Sequence, residues 1–86
     1  SNTPVVKPSD WITVEGVDCV VANVYESGNP LADCEVVCAP SKPANRHIRW
    51  DGEKWIFSKD NSFGGYAANN PRLKTYVRIL KRGKHH

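Results

Sequence analysis

The sequence contains no methionine, only three cysteines, and no apolar run approaching the roughly 18 residues a membrane-spanning helix needs. A spanning helix is excluded, and the domain is expected to be soluble and to act off the membrane. Its first residues lack the basic, apolar and small-residue regions of a secretory leader. An odd number of thiols in such a chain (Cys19, Cys34 and Cys38) argues against a disulfide framework and for reduced cysteines in a cytoplasm. The missing methionine extends to position 1, so the start is read as trimmed or replaced. Ser1-Asn2 and His85-His86 are set aside as additions.

Chemistry-bearing motifs are also absent. There is no phosphate-cradling glycine loop ahead of a helix, no nucleophile elbow and no zinc-binding helix pair. Cys34, Cys38, His47 and Cys19 supply atoms of the kind zinc takes. Residues four apart on a strand, however, lie about 13 Å apart, too far to share one ion. The cysteines read as small buried hydrophobes. The expectation is a non-catalytic domain with no cofactor and no metal.

Acidic residues are missing from one end. Six of the twelve Lys and Arg lie from Arg72 to His86, and all nine Asp and Glu lie before them. A mildly acidic body therefore carries a basic C-terminal segment, an asymmetry that can mark a nucleic-acid or acidic-partner contact.

Eighty-six residues, 40% apolar and 24% charged, fit one globular core. Residues 1–9, with Pro4 and Pro8, read as an irregular lead-in. Residues 10–83 read as the domain and 84–86 as a tail. Asp10 to Glu15 alternates in polarity, a short turn at Gly16 comes next, and Cys19 to Tyr25 is rich in β-formers. After Ser27-Gly28-Asn29-Pro30, Cys34 to Ala39 reads as a third strand. Arg46 to Trp50 and Lys54 to Phe57 flank Asp51-Gly52, the dipeptide that favours a two-residue type I′ turn. That turn sets Trp50 opposite Glu53 and Ile48 opposite Trp55. Ile48, Trp50, Trp55 and Phe57 then share the core face, and a four-residue loop would keep the same four together. His47, Arg49, Lys54 and Ile56 take the other face, where truncating Arg49 is expected to cost almost nothing.

At the C-terminal end Asn70 can cap a helix, Pro71 suits its first turn and Gly83 its exit. Leu73, Tyr76, Val77 and Leu80 recur at helical spacing, predicting a helix over 71–82. The alternative is a short helical turn leading to a last strand over 76–80. The predicted fold is mainly β: a five-stranded antiparallel small barrel with a short C-terminal helix. Gly65-Tyr66, Pro71 and Tyr76-Val77, after a tryptophan-bearing strand, resemble a stretched form of the Gly-Tyr, Pro, Tyr-Val ending of Src-homology-3-type barrels. The likeness covers about a quarter of the chain and implies a barrel of that type. The Ala-Leu-Tyr-Asp-Tyr opening of the peptide-binding members has no counterpart, so no proline-peptide site is carried over.

The residues support two functional readings. Trp11, Tyr25, Phe63, Tyr66 and Tyr76 exceed what a small core accommodates, and aromatics outside it favour a protein partner or self-association, with Phe63 and Tyr66 as contact residues. This is the first expectation. The alternative is nucleic acid, tracked by Arg46, Arg49, Lys54, Arg72, Lys74, Arg78, Lys81, Arg82 and Lys84, with an exposed aromatic stacking on bases. Arg49, Lys54, Arg78, Lys81 and Arg82 are the basic residues singled out for such a contact.

Overall fold

Glu15 and Gly16 both hold positive φ, 49° and 83°, and return the chain from Val14 to Val17 in two residues. That is the backbone of the tight hairpin turn whose twist matches paired strands. It joins β1 (Trp11–Val14) to β2 (Val17–Val24). Next in the chain are β3 (Cys34–Cys38), β4 (Ala44–Trp50) and β5 (Trp55–Phe57). A 3-10 turn over Pro71–Leu73 then leads into α1 (Lys74–Arg82). These come from a computed structural model that describes residues 3–26, 28–30, 32–39, 41–58 and 69–84.

The strands pair in sequence order, each antiparallel to the next. The sheet curls into a half-barrel until its two edges, β1 and β5, touch. One bond marks that approach: the Phe57 N–H, at the end of β5, donates to the Glu15 Oε2 in the β1–β2 turn at 2.9 Å.

The β4–β5 connection corrects the turn expected from Asp51-Gly52. Trp50 pairs with Trp55 and Ile48 with Phe57, so the loop is four residues, 51–54. The reason is Asp51 itself. Its Oδ1 accepts from the Glu53 and Lys54 N–H groups, both at 2.8 Å, and its own N–H donates to the Lys54 carbonyl at 3.0 Å. An aspartate that bonds its own backbone downstream stabilises the wider loop instead of the two-residue turn. The core set is unchanged by this. Ile48 and Trp55 are buried with Trp50 and Phe57 packed beside them, and the two indoles meet edge to face at 5.3 Å.

Both sides of the sheet are apolar, which is why β3 is buried along its whole length. The concave side gathers Val14, Cys19, Val21, Cys34, Val36, Cys38, Ile48 and Trp55 from all five strands. On the convex side Val20, Ala22 and Val37 meet Leu73, Val77 and Leu80 of the C-terminal segment. α1 is thus held by packing its apolar stripe on β2 and β3. The Asn70 Oδ1 accepts from the Arg72 N–H at 3.0 Å, Pro71 occupies the first turn, and Gly83 ends the helix at φ 96°. The last strand over 76–80 is therefore excluded: those residues are helical, and burial of Val77 and Leu80 on one face requires the helical period. Among the described residues no helix is long and apolar enough to cross a membrane.

Candidate functional site

Polar chemistry collects on the convex side, beside and on top of α1. A register shift between Val21 and Asn23 sets Asn23 opposite Glu35. One bulged residue changes the face alternation of the strand beyond it, and Tyr25 comes onto the helix side. There its hydroxyl shares a 3.2 Å hydrogen bond with His47 Nε2, the two rings meeting edge to face at 5.6 Å. His47 pairs across the strands with Glu35.

Glu35 is 3% exposed. A carboxylate so buried needs partners. Arg72 supplies two, Nη1 to Oε1 at 2.7 Å and Nη2 to Oε2 at 3.1 Å, and Asn45 Nδ2 adds a third at 3.0 Å. Burial pushes the Glu35 carboxyl upward, but the Arg72 and Asn45 hydrogen bonds and the Arg72 charge outweigh it and hold it below the usual carboxylate range. Burial, then the neighbouring Glu35 charge, raises the Tyr25 phenol. With its oxygens occupied by three donors, Glu35 anchors the 3-10 turn to β3 and has little capacity left to act as a base.

The basic residues sort by position. Arg46 lies over the Phe57 ring, 4.9 Å from its centroid. Arg49 Nη2 donates to the carbonyls of Asn29 at 3.3 Å and Pro30 at 3.0 Å, and Nη1 lies 4.0 Å from Asp33. Lys54 is exposed at the end of the β4–β5 loop. Arg72 is committed to Glu35, and Lys84 Nζ lies 3.9 Å from Asp18. Lys74, Arg78, Lys81 and Arg82 are all exposed, and among the described residues none makes an ion pair. At about 100° per helical residue these four fall within a sector about 100° wide, flanking the buried stripe of Leu73, Val77 and Leu80. Of the nine basic residues gathered from the sequence, four thus share one ridge on α1, and Lys54 stands apart from them on the β4–β5 loop.

Where that ridge ends, an open depression of about 460 Å³ is lined by Trp11, Val17, Leu80 and Lys84 among others. Trp11 and Tyr76 are part-buried and pack against the convex core. Phe63 and Tyr66 lie outside the described residues. The three thiols and His47 do not converge: all three cysteines face the concave core, while His47 meets Tyr25 on the other side. Among the described residues no group of three or more His, Cys, Asp and Glu is placed to hold a metal ion.

Sequence reasoning missed the Glu35–Arg72 pair. Its one signal was a charge in the middle of Cys-Glu-Val-Val-Cys, a strand otherwise apolar enough to be buried on both faces. No protein-family model, curated protein or solved structure matches the chain.

Proposed function

We propose that this domain is a non-catalytic binding module that engages the phosphate backbone of a nucleic acid through the exposed face of α1. One observation carries the reading. Lys74, Arg78, Lys81 and Arg82 form a single exposed ridge with no acidic residue in the helix to neutralise it. Cations left without protein partners gain most from replacing a polyanion's condensed counterions.

Association with a protein partner or a second copy is the reading the exposed aromatics favoured. The described surface supports it less: its exposed large apolar residues are Val5, Val17 and Val24, and Trp11 and Tyr76 are part of core packing. We further read the half-barrel as Src-homology-3-like, although Tyr76-Val77 of the resembling ending is helical here, so the shared feature is the curled five-stranded sheet. A cytoplasmic location fits the three reduced thiols.

Fluorescence anisotropy with a labelled single-stranded oligonucleotide tests the reading. Binding is expected at low salt and weakens steeply toward physiological salt. The R78E/K81E/R82E variant, altered only at exposed positions, is expected to keep its circular dichroism and lose binding. No binding at about 50 mM salt, or binding unchanged in the triple variant, would refute it.

A further inference from the structure

Cys19 and Cys38 are brought together by strand register. Val20 pairs with Val37, and the same register one residue further sets Cys19 opposite Cys38. The Val21 N–H donates to the Asp10 carbonyl and the Val21 carbonyl accepts from the Ser9 N–H, so Val21 turns its backbone groups toward the β1 side. Cys19, two residues earlier, does the same. Facing β3 it therefore sits at a non-hydrogen-bonded position, where opposed Cα atoms approach to about 4.5 Å and side chains are closest. That separation is within the Cα range of disulfides, about 4.4–6.8 Å.

Both side chains point into the concave core, where the Cys19 thiol donates to the Val17 carbonyl at 3.5 Å and the Cys38 thiol to the Ala44 carbonyl at 3.8 Å. The neighbouring Cys19 side chain lowers the Cys38 thiol against the opposing effect of burial, and the Arg46 charge lowers it further. Cys38 ends β3 and is slightly exposed, at 6% against 0% for Cys19. Cys34 lies on the same side of β3 but about 13 Å along the strand from Cys38, and burial raises its thiol to about 11.

We propose that Cys19 and Cys38 form a reversible cross-strand disulfide, a modification site that staples β2 to β3 while Cys34 stays reduced. The oxidant is a peroxide. The Cys38 thiolate attacks one peroxide oxygen, forming a sulfenic acid and releasing the other oxygen as water. The Cys19 sulfur then attacks the Cys38 sulfur and expels its hydroxyl, which leaves as water with the Cys19 proton. In all, two thiols lose two electrons and one peroxide becomes two waters. Opposed β-carbons stand about 4.5–5.5 Å apart in a sheet and about 3.8 Å apart in an unstrained disulfide. Closing the bond draws the strands together, and such strained bonds belong to the readily reduced class.

The test treats the full chain with hydrogen peroxide under native conditions, blocks remaining thiols, and digests with a protease that cuts after glutamate. Glu15, Glu26 and Glu35 place the three cysteines in separate peptides. The expected result is an intact mass lower by two hydrogens, one blocked thiol at Cys34, a linked Cys19–Cys38 peptide pair, and full reversal by dithiothreitol. The C34A variant should behave the same way, and C38S should show no loss of two hydrogens. A link through Cys34, a link between chains, or closure only in denaturant would overturn the proposal. So would folded protein that keeps all three thiols through the treatment.

Discussion

Arg72 grips Glu35 with both guanidinium nitrogens, at 2.7 and 3.1 Å, across 37 residues of sequence. The arginine opens the C-terminal segment, so this pair and the apolar stripe behind it fix α1 on the sheet, and with it the direction of the basic ridge. The two ends of the pair differ in environment: the Glu35 side chain is 4% exposed, the Arg72 side chain 54%.

That asymmetry fixes what Arg72→Ala should do. It leaves a buried carboxylate with Asn45 as its remaining donor, an expected loss of about 1–3 kcal/mol at neutral pH. The pH dependence separates this from a simple packing loss. In the native protein the folded-state Glu35 carboxyl sits below its unfolded value. Its contribution is present above the unfolded value near pH 4.3 and is lost as pH falls through the folded one. In the variant burial is opposed only by the Asn45 hydrogen bond and the His47 charge, so the folded value moves upward and the loss of stability on acidification through that range should shrink. Urea unfolding of both proteins between neutral and mildly acidic pH checks it, with a smaller acid-induced loss expected from this group in the variant than in the native protein.

Trp55→Ala removes an indole that is only 7% exposed and meets Trp50 edge to face, and is expected to cost about 3–5 kcal/mol. Arg49→Ala should cost about 1 kcal/mol rather than nothing, because Arg49 bonds the backbone carbonyls of Asn29 and Pro30 and pins the β2–β3 connection to β4. Chemical denaturation ranks the two, and equal losses would show that the face assignment fails.

Glu15 combines two roles, a positive-φ turn residue and the acceptor that draws β5 toward β1. Glu15→Asn keeps a residue tolerant of that φ while shortening the reach of the side-chain oxygen. Global stability is expected to change by less than about 1 kcal/mol. The Phe57 amide, by contrast, should lose hydrogen-exchange protection, since its N–H no longer has the Glu15 oxygen. Amide exchange read at Phe57 and at a central amide such as Val36 distinguishes loss of edge closure from general loosening.

How much of this was legible in the sequence depends on the range of the interaction. Ile48, Trp50, Trp55 and Phe57 carry a period of two, and that period selects one face whatever the loop between them. The loop itself turned on whether Asp51 bonds its own backbone, a local competition that the dipeptide alone does not decide. Asn70, Pro71 and Gly83 are short-range helix signals and were readable. Glu35 and Arg72 were visible as residues, but their meeting depends on how the helix lies on the sheet, which no periodicity encodes. For the same reason the basic segment was legible as charge while its ridge was not: Arg72 and Lys84 find carboxylates, and only the structure separates them from Lys74, Arg78, Lys81 and Arg82.

The ridge makes a quantitative prediction through salt. If all four of its cations neutralise phosphates, the logarithm of affinity for single-stranded DNA should fall with the logarithm of salt concentration at a slope of about −2.8, from roughly 0.7 per contact. Removing one contact by Arg78→Ala should make that slope shallower by about 0.7, uniformly across sequences, because a phosphate contact carries no base information. Arg49→Ala is the control: its guanidinium is engaged with Asn29, Pro30 and Asp33, so the slope should stay unchanged. Titrations at several salt concentrations read both numbers. A slope near zero, or one altered equally by Arg49→Ala and Arg78→Ala, would mean that the exposed face of α1 is not the contact surface.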